Sequence, residues 1–450
     1  MIGAPWFRRR RGRAISEGQQ DVSGGRTRTV GLPPAFRYPK YRVYWAGFFL
    51  AVAGHQVFQF VQFVLVYEIA ESVAQLGYVS AANAVPSIVL GVVGGVYADR
   101  WEKRRLIIVT QIASGLILLA LAALTMAQAV QVWHVMAVAF LIAAIGAFDG
   151  PARSAYYPRL IAPPAMISAV ALNSTVWQAT RIVGPAVAGV IVGVFADVPL
   201  TGIAIALFIA AFGYAAMVAA MLWINVAGVG ASRGRAARDL LDGLAYLRVN
   251  RTVLTLILMA FAFGLFGWSY VVLMPVFAEE YLGVGKEGQG ALLAASGAGA
   301  TVVTVTLAVV DSPVLLRRGV FVIGGAVSSG VLLVAFALVS GYMKSYPMAL
   351  ALMFGLGMTQ MVYTTGTMGS IQLSITDAMR GRVLGVYGIL WGIQPLSGTQ
   401  AAFIAQFVGV PIAVAIGGGM IVAMALFALA FSPELRSLRI HETVQDEKTH

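Results

Sequence analysis

The sequence contains no cysteine. Disulfides, thiol nucleophiles and cysteine-ligated metals are therefore excluded. Charge is also scarce: Asp, Glu, Lys and Arg make up 11% of the 450 residues, against roughly a quarter in an ordinary soluble domain. Too few charges remain to coat a water-facing surface of this size. Catalytic signatures are missing as well. There is no Gly-x-x-x-x-Gly-Lys-Ser/Thr phosphate loop, and Gly285-Lys286-Glu287 lacks the hydroxyl that would follow the lysine. Neither His-Glu-x-x-His nor Gly-x-Ser-x-Gly occurs. No enzyme activity, metal or cofactor is expected.

What is present is apolar. Hydrophobic residues make up 59% of the chain, and the mean hydropathy is +0.83. They fall in long runs, as at 106–124, 253–277 and 411–431. A run of about 20 such residues spans the hydrocarbon core as a helix, which satisfies every backbone hydrogen bond internally. The spacing predicts an all-α integral membrane protein with about twelve transmembrane helices in two six-helix bundles. The helices are expected at 43–66, 76–97, 105–127, 132–151, 169–194 and 199–223 in the first bundle. In the second they are expected at 253–277, 289–310, 315–339, 347–369, 382–404 and 409–431.

The domain reading follows. A basic tail covers 1–40, the first bundle 41–224, a linker 225–252, the second bundle 253–431 and a charged tail 432–450. In the linker, the stretch Asp239-Leu240-Leu241-Asp242-Gly243-Leu244-Ala245-Tyr246-Leu247 has apolar residues at helical spacing. It is too short to span and suits an amphipathic helix on a membrane surface. The two halves also echo one another. Asp99 with Arg104-Arg105 and Asp311 with Arg317-Arg318 stand at nearly the same separation as Pro185 and Pro395. Parallel repeats of this kind place a substrate site between the halves near the midplane.

The net charge of +12 does not point to nucleic acid, because the basic residues sit in clusters between apolar runs. With these spans, every Lys and Arg except Lys286, Lys344 and Arg181 falls on one side. The positive-inside rule makes that side the cytoplasm. A multi-pass protein of the cell inner (plasma) membrane is expected, with both termini cytoplasmic and no cleavable leader. The run Arg8-Arg9-Arg10-Arg11 can rest on anionic lipid, or simply be solvated.

The loop after the second helix reads Gly95-Val96-Tyr97-Ala98-Asp99-Arg100-Trp101-Glu102-Lys103-Arg104-Arg105. It resembles the Gly-x-x-x-Asp-Arg-x-x-Arg-Arg loop of the major facilitator superfamily. Further segments are similar to the branch holding enterobactin-type siderophore exporters and macrolide-efflux proteins. They are Val66-Tyr67-Glu68-Ile69-Ala70-Glu71-Ser72, Pro86, Asp149-Gly150-Pro151-Ala152-Arg153, the stretch from Asn173 to Pro185, and Met379-Arg380-Gly381-Arg382-Val383. The resemblance runs from Tyr41 to Phe431. It implies a secondary-active exporter of small amphipathic molecules that works by alternating access, with protons as the coupling partner and membrane lipids around a monomer. An importer or lipid flippase of the same fold, a membrane sensor or scaffold, and a polytopic enzyme are the rival readings.

The sequence departs from the branch at Lys103, where Arg is usual, and at His55, where Asp is common. The loop before Val320 has lost most of the signature. The resemblance makes Gly95, Asp99, Arg100, Lys103, Arg104 and Arg105 a cytoplasmic latch. In it, Asp149 is expected to pair with Lys103 or Arg104, and Asp99 to face Arg382. Gly184, Pro185 and Gly189 look like the antiporter-type motif of the fifth helix. Small residues four apart let backbones approach, and such residues are also common in membrane helices generally.

Ionisable groups deep in a bilayer are functional candidates by default. By these spans they are His55 and Arg181, expected to lie near each other, and His55 is the candidate proton site. Neutral packing of the imidazole and a structural role for Arg181 are the alternatives. His55, Gln59 and Gln62 share one helix face, as do Asn173, Trp177 and Arg181. With Trp268, Tyr363 and Trp391, these polar and aromatic residues are the expected lining of a substrate cavity, although most aromatics in such helices pack or face lipid.

Overall fold

The computed structural model describes residues 33–228, 236–309 and 318–432; the side chains of 92–100, 236–240, 308–309, 318, 320, 377–378 and 390–391 are outside that description. Among the described residues there are only helices and their connections. The first half is α1 (Pro39–Ala70), α2 (Val73–Arg100), α3 (Lys103–Met126), α4 (Val132–Tyr156), α5 (Met166–Val194) and α6 (Thr201–Trp223). The linker forms α7 (Ala236–Val249). The second half is α8 (Arg251–Phe266), α9 (Ser269–Val276), α10 (Gly285–Val309), α11 (Arg318–Leu338), α12 (Tyr346–Leu373), α13 (Asp377–Val408) and α14 (Val410–Phe431).

Among the described residues, eleven helical segments are long and apolar enough to cross a membrane. The twelfth long helix is α13, whose polar side chains serve its neighbours. Gln400 donates to the carbonyl of Leu265 at 3.0 Å, and Ser397 Oγ accepts from the backbone N–H of Trp268 at 3.2 Å. Helix ends follow local chemistry. Pro39, Pro347 and Pro411 stand in first turns, where a missing N–H costs nothing. Gly409, at φ 83°, makes the abrupt turn between α13 and α14 that a side chain would resist.

The predicted single helix over 253–277 is instead broken. α8 stops at Phe266, α9 starts at Ser269, and a π-turn over Phe277–Tyr281 extends the span. Gln360 of α12 explains the break, because its Nε2 donates to the Gly267 carbonyl at 3.0 Å. A side chain inserted into the helical ladder is a recognised cause of a kink.

Burial of apolar area alone cannot hold helices together in lipid, so close approach of backbones matters. Gly54 of α1 faces the Ala210 carbonyl of α6, and Gly213 of α6 faces the Leu50 carbonyl of α1. In the second half Gly330 of α11 and Gly418 of α14 face each other's carbonyls, and Gly357 of α12 faces that of Ser296. The pattern of neighbours repeats: α2 packs on α4 as α10 does on α12, and α3 on α6 as α11 does on α14. Across the halves, α2 packs on α13 and α5 on α10. The chain alternates direction, so one end of the bundle, the terminal face, carries the start of α1, the end of α14 and α7.

Candidate functional site

The two halves are joined at the face opposite the termini. Lys286 Nζ, at the start of α10, lies 2.5 Å from Glu68 Oε2 at the end of α1. Next to it, the Tyr67 hydroxyl donates to Glu280 Oε1 in the π-turn after α9. Gly189 of α5 sits against the backbone of Gly290 and the carbonyl of Lys286, and Gly193 against the Glu287 side chain. α2 and α13 touch at Gly77 with Ala402, at Ser80 with Pro395 and at Gly392 with Ser87. Nearer the terminal face, the described glycines of these two helices border open space. A Cβ added at Gly91, Gly385 or Gly388 would meet nothing within 4 Å. Among the described residues, the contacts between α2 and α13 thus gather towards the face opposite the termini, and open space borders both helices nearer the terminal face.

The opened side exposes polar and aromatic groups of α5. Ser174 and Thr175 are exposed, and Trp177 is 44% exposed with an edge contact to Phe48 of α1. One turn on, Arg181 reaches the second half: Nη2 donates to Gln360 Oε1 at 3.3 Å, and the guanidinium lies 4.6 Å from the Trp268 ring centre. Gln178 touches Met361 Sδ at 3.1 Å and Thr304 Oγ1 at 3.5 Å. Asn173 Oδ1 accepts from the Tyr41 hydroxyl at 3.1 Å.

The polar stripe of α1 is a connected chain. His55 Nδ1 lies 3.3 Å from the Tyr214 hydroxyl, and His55 Nε2 lies 3.3 Å from Gln59 Nε2. Gln59 accepts from Gln62, and Gln62 from Asn83 of α2 at 3.3 Å. His55 and Gln59 are half-buried, whereas Gln62 is 0% exposed. Gln62 is thus an internal tie and not a lining residue. Tyr363 is also displaced from the expected lining. It is 2% exposed and stacks on Phe263 at 4.2 Å inside the second half.

The expected pairing of Asp149 with Lys103 or Arg104 is not what forms. Asp149 accepts from Arg153 Nε at 2.9 Å, from Thr110 at 2.8 Å and from Gln111 at 3.1 Å. Arg153 is one turn along the same helix, so it meets Asp149 without any loop rearrangement. Arg104 instead caps the end of α6: its Nε donates to the carbonyls of Met221 at 3.0 Å and Ile224 at 2.8 Å. Helix carbonyls left open at a C-terminus attract such a cation. Glu102 caps α3, taking the N–H groups of Arg104 at 3.2 Å and Arg105 at 2.9 Å, and that of Gly228 at 2.7 Å. Lys103 is buried beside Gly228, and exposed Arg105 is 3.7 Å from Glu102. These contacts tie the loop into its own half.

Arg382 meets Asp242 of α7 at 3.4 Å. The side chains of Gly95, Asp99, Arg100 and Trp391 lie outside those described, as do Asp311 and Arg317. His55 and Arg181 do not meet either: His55 lies against Tyr214 and Gln59, whereas Arg181 holds Gln360 and faces Trp268. Gly184 lets α5 approach Gln56 of α1, while Gly189 and the Pro185 carbonyl meet Gly290 of α10. The motif is thus a double contact surface.

Sequence spacing does not reveal Glu68, Tyr67, Glu280 and Gln360, whose partners are far away along the chain. One signal was available. Lys286 breaks the charge bias of its side, and the structure gives it a carboxylate.

Two joined helical halves, open at one face over a polar and aromatic surface, define a membrane transporter with the major facilitator fold. Residues 30–447 match the family described as transmembrane secretion effector, and the chain belongs to that family. It is similar to the staphyloferrin A transporter of Staphylococcus aureus (strain NCTC 8325 / PS 47), with 28% identity over 235 residues. That match spans 52% of this chain and 57% of the relative. Among solved structures, nucleoside transporter NupG has a TM-score of 0.65 at 14% identity, covering 87% of this chain and 98% of that one. A bacterial homolog of the human lysosomal transporter Spinster, inward-facing and occupied, has a TM-score of 0.61 at 14% identity, covering 89% and 96%. At these identities the likeness is one of fold.

Proposed function

We propose that this protein is a proton-coupled exporter of small amphipathic molecules of the siderophore or drug type, working by alternating access in the plasma membrane. In this reading the terminal face is cytoplasmic, since it carries most Lys and Arg. The structure then represents the state open to the cytoplasm. The observation that carries the reading is the closure at the opposite face through Glu68–Lys286 and Tyr67–Glu280, set against the open space at Gly91, Gly385 and Gly388. A substrate enters beside Trp177, the outer contacts break, the halves rock, and the substrate leaves outward. His55 and the Asp149–Arg153 pair are the proton-handling groups of the first half. The staphyloferrin A transporter among its relatives supports a siderophore-like substrate.

Inverted vesicles holding the full chain test this. Acidifying their lumen should drive accumulation of a siderophore or drug from a screened panel, and collapsing the gradient should stop it. Accumulation only in right-side-out vesicles would reverse the direction. Reporter fusions at Gly230 and after Ser432 should both read as cytoplasmic.

A further inference from the structure

Arg181 is a cation in the interior of a membrane protein with only neutral partners. Among the described residues no carboxylate lies within ion-pair distance of it. Its contacts are the Gln360 amide oxygen and the face of Trp268. Arg153 of α4, by contrast, is matched by Asp149. Arg181 is half-buried; a guanidinium partly withdrawn from water without a counter-charge is costly, and an amide and a ring compensate it only in part. Arg presents five donors in a planar fork that fits a carboxylate bidentately. Gln360 takes one of them here, and its other bonding keeps it in place: Nε2 holds the Gly267 carbonyl, and the Tyr270 hydroxyl donates to Oε1 at 3.5 Å.

We propose that Arg181 is the anion-binding residue of the transport site, and that it takes an organic carboxylate whose flat or apolar body lies along Trp177 and Trp268. The position suits this. Arg181 stands on the α5 face that opens towards the terminal side, one turn from exposed Trp177, and it spans to the second half at the kink between α8 and α9. An acid entering from that side meets the aromatic surface first and the fork next. The substrate anion then supplies the charge the site lacks, between two halves that must move relative to one another. The inference rests on the transporter reading for its consequence, but its test does not.

The full-length protein in nanodiscs can be titrated calorimetrically with three ligands of one shape: naphthoate, naphthyl methanol and naphthylmethyl-trimethylammonium. Naphthoate is expected to bind about tenfold or more tighter than the other two, the size of one charge-assisted contact. Arg181→Gln should erase that preference, and Arg181→Lys should keep a reduced one, since an ammonium is a point charge without the fork. Melting temperatures of both variants establish that they are folded. A purely structural tie at Arg181 would change the melting temperature and leave charge preference alone. Equal or tighter binding of the cation, no binding of naphthoate by the wild type, or an anion preference that survives Arg181→Gln in folded protein would each overturn the proposal. Those outcomes leave alternating-access transport standing. Arg181-dependent binding without movement of naphthoate or any panel compound into vesicles would instead sink the transporter reading.

Discussion

Lys286 Nζ sits 2.5 Å from Glu68 Oε2 and joins the start of α10 to the end of α1 across the two halves. Both side chains are partly exposed, at 19% and 35%. Such a pair is worth about 0.2–1 kcal/mol. That is weak enough for the contact to break in each cycle, and the Tyr67–Glu280 bond beside it shares the load. The chain has no cysteine, so Glu68→Cys with Lys286→Cys introduces a clean thiol pair. A reducible cross-linker spanning it should stop transport, and reduction should restore it. Undiminished transport by the cross-linked protein would remove these residues from the gate.

Asp149 and Arg153 should behave as a unit. Asp149 is nearly buried, with Thr110, Gln111 and Arg153 around its carboxylate. Removing one partner of a buried pair leaves the other charge uncompensated, at about 3–5 kcal/mol. Asp149→Asn and Arg153→Met should each lower the melting temperature in detergent, and the double variant should lie above the sum of the two losses. Additive losses would mean that the pair contributes no coupling.

Part of this arrangement was legible in the sequence. Long apolar runs gave the spans to within a few residues, because a bilayer leaves few other ways to satisfy a backbone. The i, i+4 and i+7 spacing of His55, Gln59 and Gln62 foretold a polar stripe, and they are hydrogen-bonded in series. Which of them meets the opening was not legible, since that depends on where α2 places Asn83. The break at Gly267 was hidden for a like reason: its cause is Gln360, on another helix. The resemblance of the loop to a latch points Asp149 to a partner there, and the structure gives it one on its own helix. The choice of Arg153 follows from helical geometry, which places i and i+4 side by side.

The small-residue motif of α5 makes a mechanical prediction. A Cβ at Gly189 would stand 3.0 Å from Gly290 Cα and 3.0 Å from the Lys286 carbonyl. Both are backbone atoms and cannot rotate aside. Gly189→Leu should force α5 from α10 at about 1–3 kcal/mol, loosen the closed face opposite the termini and slow transport. Accessibility of a thiol introduced at Glu287 to an impermeant reagent reports this, and should rise. Unchanged labelling would show that α5 and α10 yield without opening the face.

An exporter driven by a proton gradient needs a group that is protonated in one state and deprotonated in the other, and imidazole is the side chain suited to that near neutral pH. His55 is half-buried in α1, bonded to Tyr214 on one nitrogen and to Gln59 on the other. The Tyr214 hydroxyl can bond either form of the ring, whereas the Gln59 Nε2 amide only donates and needs an unprotonated His55 Nε2, so protonation of the ring breaks that bond. The bond to Gln59 continues through Gln62 to Asn83 of α2. Any motion of α1 against α2 that alters this series alters which form of His55 it accommodates, and that is a link between rocking and proton transfer. His55→Gln keeps a hydrogen-bonding side chain for Tyr214 and Gln59 but cannot take up a proton. In reconstituted vesicles it should lose accumulation driven by a pH gradient while substrate exchange without a gradient persists. If His55→Gln accumulates substrate with the pH dependence of the wild type, the imidazole only packs, and the coupling lies with Asp149 or another carboxylate nearer the surface, for which Asp149→Asn in the same assay is the next measurement.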